Sequence, residues 1–182
     1  MVLEKMSVDA ELTKLAVMRQ AWERQQHENR QNLLSLPQGI EANILTIANI
    51  EADIATVKAS GVGNGLTIDG VAYTREEDAK REVALAMHLA SSEYSVVGSV
   101  SGLQLSVMLF EDGVWSAMVT GKHRYLIHRV KSSAEMLHAI GATLKSLDER
   151  LEKQRGYLAR MQRELSDLKV EVLKPFAQQD RF

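Results

Sequence analysis

The chain has no cysteine. That absence excludes disulfides, thiolate zinc sites, iron–sulfur clusters and cysteine nucleophiles, and it fits a reducing compartment. No apolar run approaches the roughly 18 residues of a membrane-spanning helix. Met1–Met6 offers one base, Lys5, with no apolar core behind it, and does not read as a signal peptide. A soluble, cytoplasmic protein is therefore expected. A strong charge of one sign is also missing. The 22 Lys and Arg against 24 Asp and Glu give a formal charge of −2. This argues against a surface that coats nucleic acid over its whole extent, while leaving room for a local basic face.

Catalytic and cofactor motifs are missing as well. His27, His88, His123, His128 and His138 form no HExxH or HxxxH pattern, so a metal site is not expected. The glycines Gly61-x-Gly63-x-Gly65 follow a helical stretch and open a strand, the reverse of a phosphate loop, and read as a linker. Ser91, Ser92, Ser95, Ser99 and Ser101 cluster without a GxSxG elbow. Glu76-Glu77 and Glu111-Asp112 stand in a capping turn and a hairpin turn. An enzyme is not expected, and neither is a cofactor.

What the chain does have is heptad pattern at both ends. Leu137, Ile140, Leu144, Leu147, Leu151, Leu158, Met161, Leu165, Leu168 and Val172 alternate steps of three and four, with one gap at Gln154. This predicts a single long helix from Ser133 to about Leu173, closed by Lys174-Pro175 and opened by the capping box Ser132-x-x-Glu135. At about 1.5 Å per residue it would run roughly 60 Å. Residues 7–59 read as a second long helix, capped by Ser7 or Asp9, with a kink near Pro37 as the favoured reading and a break there as the alternative. Its seam is Leu33, Leu36, Ile40, Asn43, Ile47, Ile50, Ile54 and Val57, and projects back to Trp22, Leu15 and Leu12. Laid antiparallel, the seams pair Val57 with Leu137, Ile54 with Ile140 and Ile50 with Leu144. Asn43 and Gln154 then fall in adjacent layers, and Trp22 lies opposite Val172. A buried polar pair of this kind fixes register.

Between the helices, residues 64–131 read as a small head. Asp69-Gly70 between short β-prone arms is a type I′ hairpin signal. Thr74-x-x-Glu77 predicts a helix to about Ala90, with Ala79, Val83, Met87 and Ala90 on its buried stripe. Tyr94–Val100, Leu103–Phe110, Val114–Thr120 and Arg124–Val130 read as a four-stranded antiparallel meander. The expected fold class is α+β: a long antiparallel coiled-coil hairpin stalk, 7–59 with 132–174, carrying a head of β-meander, β-hairpin and one helix.

Two surfaces stand out. From Gly113 to Ala134 there is no acidic residue, and Lys122, Arg124, Tyr125, Arg129 and Lys131 line the last strand and its ends. A basic strand with an interleaved aromatic can contact phosphates and stack on a base; equally, charge on an edge strand guards against aggregation. Trp22, with Arg19 and Arg24 in a charged stretch, is either seam filler or an anchor for a protein partner. The distal stalk, half paired from within, is where a second copy would dimerise.

Three segments together resemble a known family. They are Gly65-Leu-Thr-Ile-Asp-Gly-Val-Ala-Tyr-Thr-Arg-Glu-Glu-Asp-Ala79, Gly102-Leu-Gln-Leu-Ser-Val107, and Glu171-Val-Leu-Lys-Pro-Phe176, after a helix carrying Leu36-Pro37. This order resembles the accessory region that follows the helicase motor in large helicase/adenine-specific DNA methyltransferase polyproteins of phages, plasmids and integrative elements. Helicase and methyltransferase motifs are absent, so the resemblance implies an accessory role only. That role is a module of mobile-element origin bound to a protein partner in a nucleic-acid-processing or defence complex, with inhibition of restriction or of a CRISPR effector as one use. Direct DNA or RNA binding through 122–131 is the alternative.

Overall fold

The computed structural model describes residues 2–61 and 65–177, with the backbone alone at 2–5. The linker expected at 61–65 therefore falls largely outside the described residues. The fold is α+β, with a six-stranded antiparallel sheet and four helices among those residues. The chain divides into two compact units, Met1–Ile44 with Gly156–Phe182, and Leu45–Arg155.

Helix α1 spans Val2–Ala59 and passes through Pro37 without interruption, so the break at that position is not found. It also begins ahead of Ser7 and Asp9, which therefore lie inside the helix instead of capping it. Strands β1 (Leu66–Ile68) and β2 (Val71–Tyr73) form the expected hairpin. Asp69 and Gly70 both have positive φ, 49° and 79°, as a type I′ turn requires. Helix α2 (Glu76–His88) starts one residue later than expected. Its N-cap is Arg75, in extended conformation with no side-chain hydrogen bond, so Thr74 does not close a capping box. Three acids in the first turn, Glu76, Glu77 and Asp78, favour the helix start through its dipole instead. Its Ala79, Val83 and Met87 are buried as the pattern foretold.

The meander strands are β3 (Ser95–Val100), β4 (Leu103–Leu109), β5 (Trp115–Thr120) and β6 (Arg124–Val130). The hairpin joins them in one sheet, because β1 pairs with β3, giving the order β2-β1-β3-β4-β5-β6. Gly98 makes that junction: a Cβ there would stand 1.9 Å from the Thr67 carbonyl oxygen. One sheet face carries Leu66, Ile68, Val100, Leu103, Leu105, Val107, Ala117, Val119 and Ile127 into a core shared with Ile50 and Ile54 of α1 and with α2. The Trp115 indole N–H donates to the Met87 carbonyl at 2.7 Å, tying β5 to α2. Ser116 alternates away from this core yet is fully buried. Tyr94 covers it with a 2.6 Å hydroxyl contact, and Ser116 donates to the Ile127 carbonyl at 2.8 Å.

The C-terminal helix, expected as one, is two: α3 (Ser133–Lys145) and α4 (Leu147–Glu171), separated by Ser146. The Thr143 hydroxyl donates to the Ala139 carbonyl and the Ser146 hydroxyl to that of Thr143, each at 2.8 Å. Hydroxyls bonded back onto their own helix compete with its ladder and bend it. Ser132 caps α3 as expected, while the returning bond of the box reaches one residue further back, to Lys131. Ser132 Oγ accepts from the Glu135 N–H at 3.2 Å, and the Glu135 carboxylate accepts from the Lys131 N–H at 2.8 Å. Met136, Ile140, Leu147 and Leu151 complete the core of the Leu45–Arg155 unit.

In the other unit the early part of α1 lies beside the end of α4. Gln26 donates through Nε2 to the Glu171 carbonyl at 3.1 Å, and the Trp22 ring meets Phe176 at 5.8 Å between centroids. Phe176 stands four residues beyond Val172, the residue expected opposite Trp22. The Glu171 carbonyl takes the Gln26 amide beside the Lys174 N–H, which reaches it at 3.2 Å.

Candidate interaction surface

The strongest local constraint in the Leu45–Arg155 unit is a carboxylate. Asp53 sits on α1 between seam residues and is only 1% exposed. It accepts from the backbone N–H of Lys122 at 2.6 Å, from that of His123 at 2.9 Å, and from the Tyr125 hydroxyl at 2.8 Å. Three donors to one ionised acceptor satisfy a charge that burial alone would penalise heavily. Gly121 is needed for the approach, since a Cβ there would stand 2.1 Å from Asp53 Oδ1. The Arg150 guanidinium lies 5.9 Å from the Tyr125 ring centroid, and His123 meets the same ring edge-on. Burial, then the hydrogen bond to Asp53 and its charge, push the Tyr125 hydroxyl well above the ordinary phenol range, with Arg150 pulling weakly the other way.

This clamp reassigns part of the basic strand. Tyr125 is 1% exposed, so its ring offers no face for a base. It was expected among the nucleic-acid contacts and instead belongs to the core. Arg129 forms an ion pair with Asp112, and the bond to the Arg129 guanidinium holds the Asp112 carboxyl below its usual range. Arg129 has φ of 51°, in a bulge where His128 and Arg129 together face Ser116. Lys122, Arg124 and Lys131 remain exposed and make no ion pair among the described residues.

The sheet therefore ends in a strand with two unlike faces. Tyr125, Ile127 and Val130 point into the core, while Arg124, Leu126 and His128 point outward. The strand is the last in the sheet order. Beyond β5, no backbone hydrogen bond reaches it among the described residues.

The partner residues expected at the other end of α1 are also placed. Trp22 is half-buried against Phe176, which makes it seam filler more than a free anchor. Arg19 pairs with Glu23 at 3.1 Å on the helix surface, and Arg24 is exposed. Apolar side chains are left bare both before this point, at Met6, Val8, Leu12, Val17 and Met18, and after it, at Leu34, Ile44 and Leu45.

A groove of about 660 Å³ opens among α1, β1, α2 and α3, with Leu66, Val100 and Ile140 at its floor and Lys80, His138 and Lys145 at its rim. Among the described residues, no group of three or more His, Asp or Glu is gathered to hold a metal ion. Among the same residues, no helix is long and apolar enough to cross a membrane. Comparisons with known protein families, curated proteins and solved structures find no match to this chain.

Proposed function

We propose that the chain is a non-enzymatic interaction module that binds a protein component of a nucleic-acid-processing complex in the cytoplasm. In this reading α1 pairs with the C-terminal helices as an antiparallel coiled-coil hairpin, with Asn43 and Gln154 in adjacent layers of its seam, and the sheet is the head that this stalk carries. The observation that supports partner binding most directly is the bare apolar stretch of α1. Met6 is 65% exposed, Val8 52% and Leu12 47%, and Leu34 at 71% and Leu45 at 62% are bare further along the same helix. Val8 and Leu12, four residues apart, share one side of the helix, and exposed apolar side chains grouped in this way mark contact surfaces. The class of partner rests on the resemblance of 65–79, 102–107 and 171–176 to the accessory region of helicase/methyltransferase polyproteins. A mobile-element origin, and action against a host restriction or CRISPR effector, belong to the same proposal.

The test is retention of protein partners by the tagged chain from a nuclease-treated extract of its source cells. A partner that survives nuclease, and is lost with Val8→Lys plus Leu12→Lys, is the expected result. Retention that disappears with nuclease overturns the reading. It would favour direct nucleic-acid contact, for which the exposure of Lys122, Arg124 and Lys131 is the supporting observation.

A further inference from the structure

We infer that the outer edge of β6 is a docking site for an extended acidic segment of a protein partner, which adds to the sheet as a seventh strand. The inference rests on the interaction-module reading and names the chemistry of what one of its surfaces takes.

An edge strand presents every second pair of backbone N–H and C=O groups away from its neighbour. Here that row runs along Arg124–Ile127, ahead of the bulge at His128 and Arg129. Nothing described in the chain bonds to it beyond β5. The outward side chains set the sequence preference of an incoming strand. Leu126 is 42% exposed, between Arg124 and His128 on the same face. Directly opposed side chains on paired strands lie about 5 Å apart. A fitting segment therefore places an apolar residue over Leu126 and a carboxylate on either side of it. Lys122 and Lys131 extend the positive field past both ends of the strand.

Two other occupants fit less well. A second copy paired antiparallel about Leu126 would set Arg124 opposite His128, which leaves the guanidinium without a carboxylate across the strand pair. Nucleic acid would find no tyrosine face on the strand, since Tyr125 is buried, and one of its guanidiniums already paired with Asp112. Three remaining cations contribute little affinity at physiological salt. Only a strand uses the backbone row, the apolar centre and the charge together.

The probe is a fluorescein-labelled peptide, Thr-Glu-Thr-Val-Thr-Glu-Thr, titrated with the full chain and followed by anisotropy. Saturable binding is expected, lost when alternate backbone nitrogens of the peptide are methylated, since methylation removes the donors and keeps the charge. Arg124→Glu should weaken binding about five- to tenfold, as an attractive cross-strand pair becomes repulsive. The substitution is at an exposed side chain that makes no ion pair among the described residues, so an unchanged melting temperature serves as its control. No binding, equal binding by the methylated peptide, or displacement by a single-stranded DNA oligonucleotide at lower concentration than unlabelled peptide would each overturn the inference. If the peptide fails while nuclease-resistant partners are still retained, the edge assignment falls and the interaction-module reading stands.

Discussion

Replacing Asp53 should cost the Leu45–Arg155 unit a large part of its stability. The carboxylate accepts three hydrogen bonds of 2.6–2.9 Å while 1% exposed. Hydrogen bonds to a charged acceptor contribute about 1.5–3 kcal/mol each, and a buried donor left alone costs about 1–3 kcal/mol. In Asp53→Ala the N–H groups of Lys122 and His123 lie in a surface turn and can turn to water, whereas the Tyr125 hydroxyl cannot. The expected loss is therefore about 3–5 kcal/mol, below the simple sum. Asp53→Asn keeps one acceptor oxygen but aims an amide N–H₂ at donors, and should lose about 2–3 kcal/mol. Tyr125→Phe leaves two of the three donors in place and should lose about 1–2 kcal/mol. The Asp53→Ala/Tyr125→Phe cycle should show a coupling of about 1 kcal/mol or more. The chain has two tryptophans, so a Trp22→Phe background leaves Trp115, bonded to α2, as the reporter of this unit. Urea unfolding followed by its fluorescence gives the free energies. A loss below about 1 kcal/mol for Asp53→Ala would refute the clamp as a structural determinant.

Three further outcomes follow from particular contacts. Gly121→Ala drives a Cβ into Asp53 Oδ1 and should lose about 1–3 kcal/mol. In an Asp53→Ala background most of that loss should vanish, and an unchanged loss by urea unfolding would mean the backbone, not the carboxylate, forbids the side chain. Tyr125 has a raised folded-state pKa against an unfolded value of 10.0; a phenol kept neutral by the fold stabilises it fully below pH 10 and progressively less above. The urea midpoint should therefore fall from pH 10 upward, more steeply in the native chain than in Tyr125→Phe, and parallel curves would contradict this. Pro37 is exposed inside α1, where proline costs about 3 kcal/mol relative to alanine; Pro37→Ala should raise the melting temperature of the unit that contains it, and a lowered one would show that this helix needs the proline.

The parts of the fold written locally were legible. Asp69-Gly70, Ser101-Gly102 and Gly113 demand left-handed backbone, and the hairpins lie at those positions. Apolar residues at helical spacing marked the face of α2 that is buried. What local pattern does not encode is a contact between residues far apart in sequence. Asp53 and its three donors are separated by 69, 70 and 72 positions, and an acid beside a seam isoleucine looks like one more solvated charge. The interruption at Ser146 was hidden for a different reason, because the hydroxyls that cause it leave the three-four spacing of the leucines intact. Tyr125 did carry a signal. It alternates in phase with Ile127 and out of phase with Arg124, Leu126 and His128, and strand periodicity assigns such a residue to the core.

That alternation connects the clamp to the edge. A slip of β6 by one residue against β5 would turn Arg124, Leu126 and His128 inward and bring Tyr125 and Ile127 out. Sheet pairing alone resists such a slip only weakly at an edge, where one side of the strand is unbonded. Asp53 resists it from the helix side, because its carboxylate holds both the turn that starts the strand and the second residue of the strand itself. The buried charge thus sets which face of β6 is displayed. Weakening the clamp should degrade recognition at the edge even under conditions in which the unit remains folded, and Tyr125→Phe, the mildest of the three substitutions, is the variant in which the two effects separate.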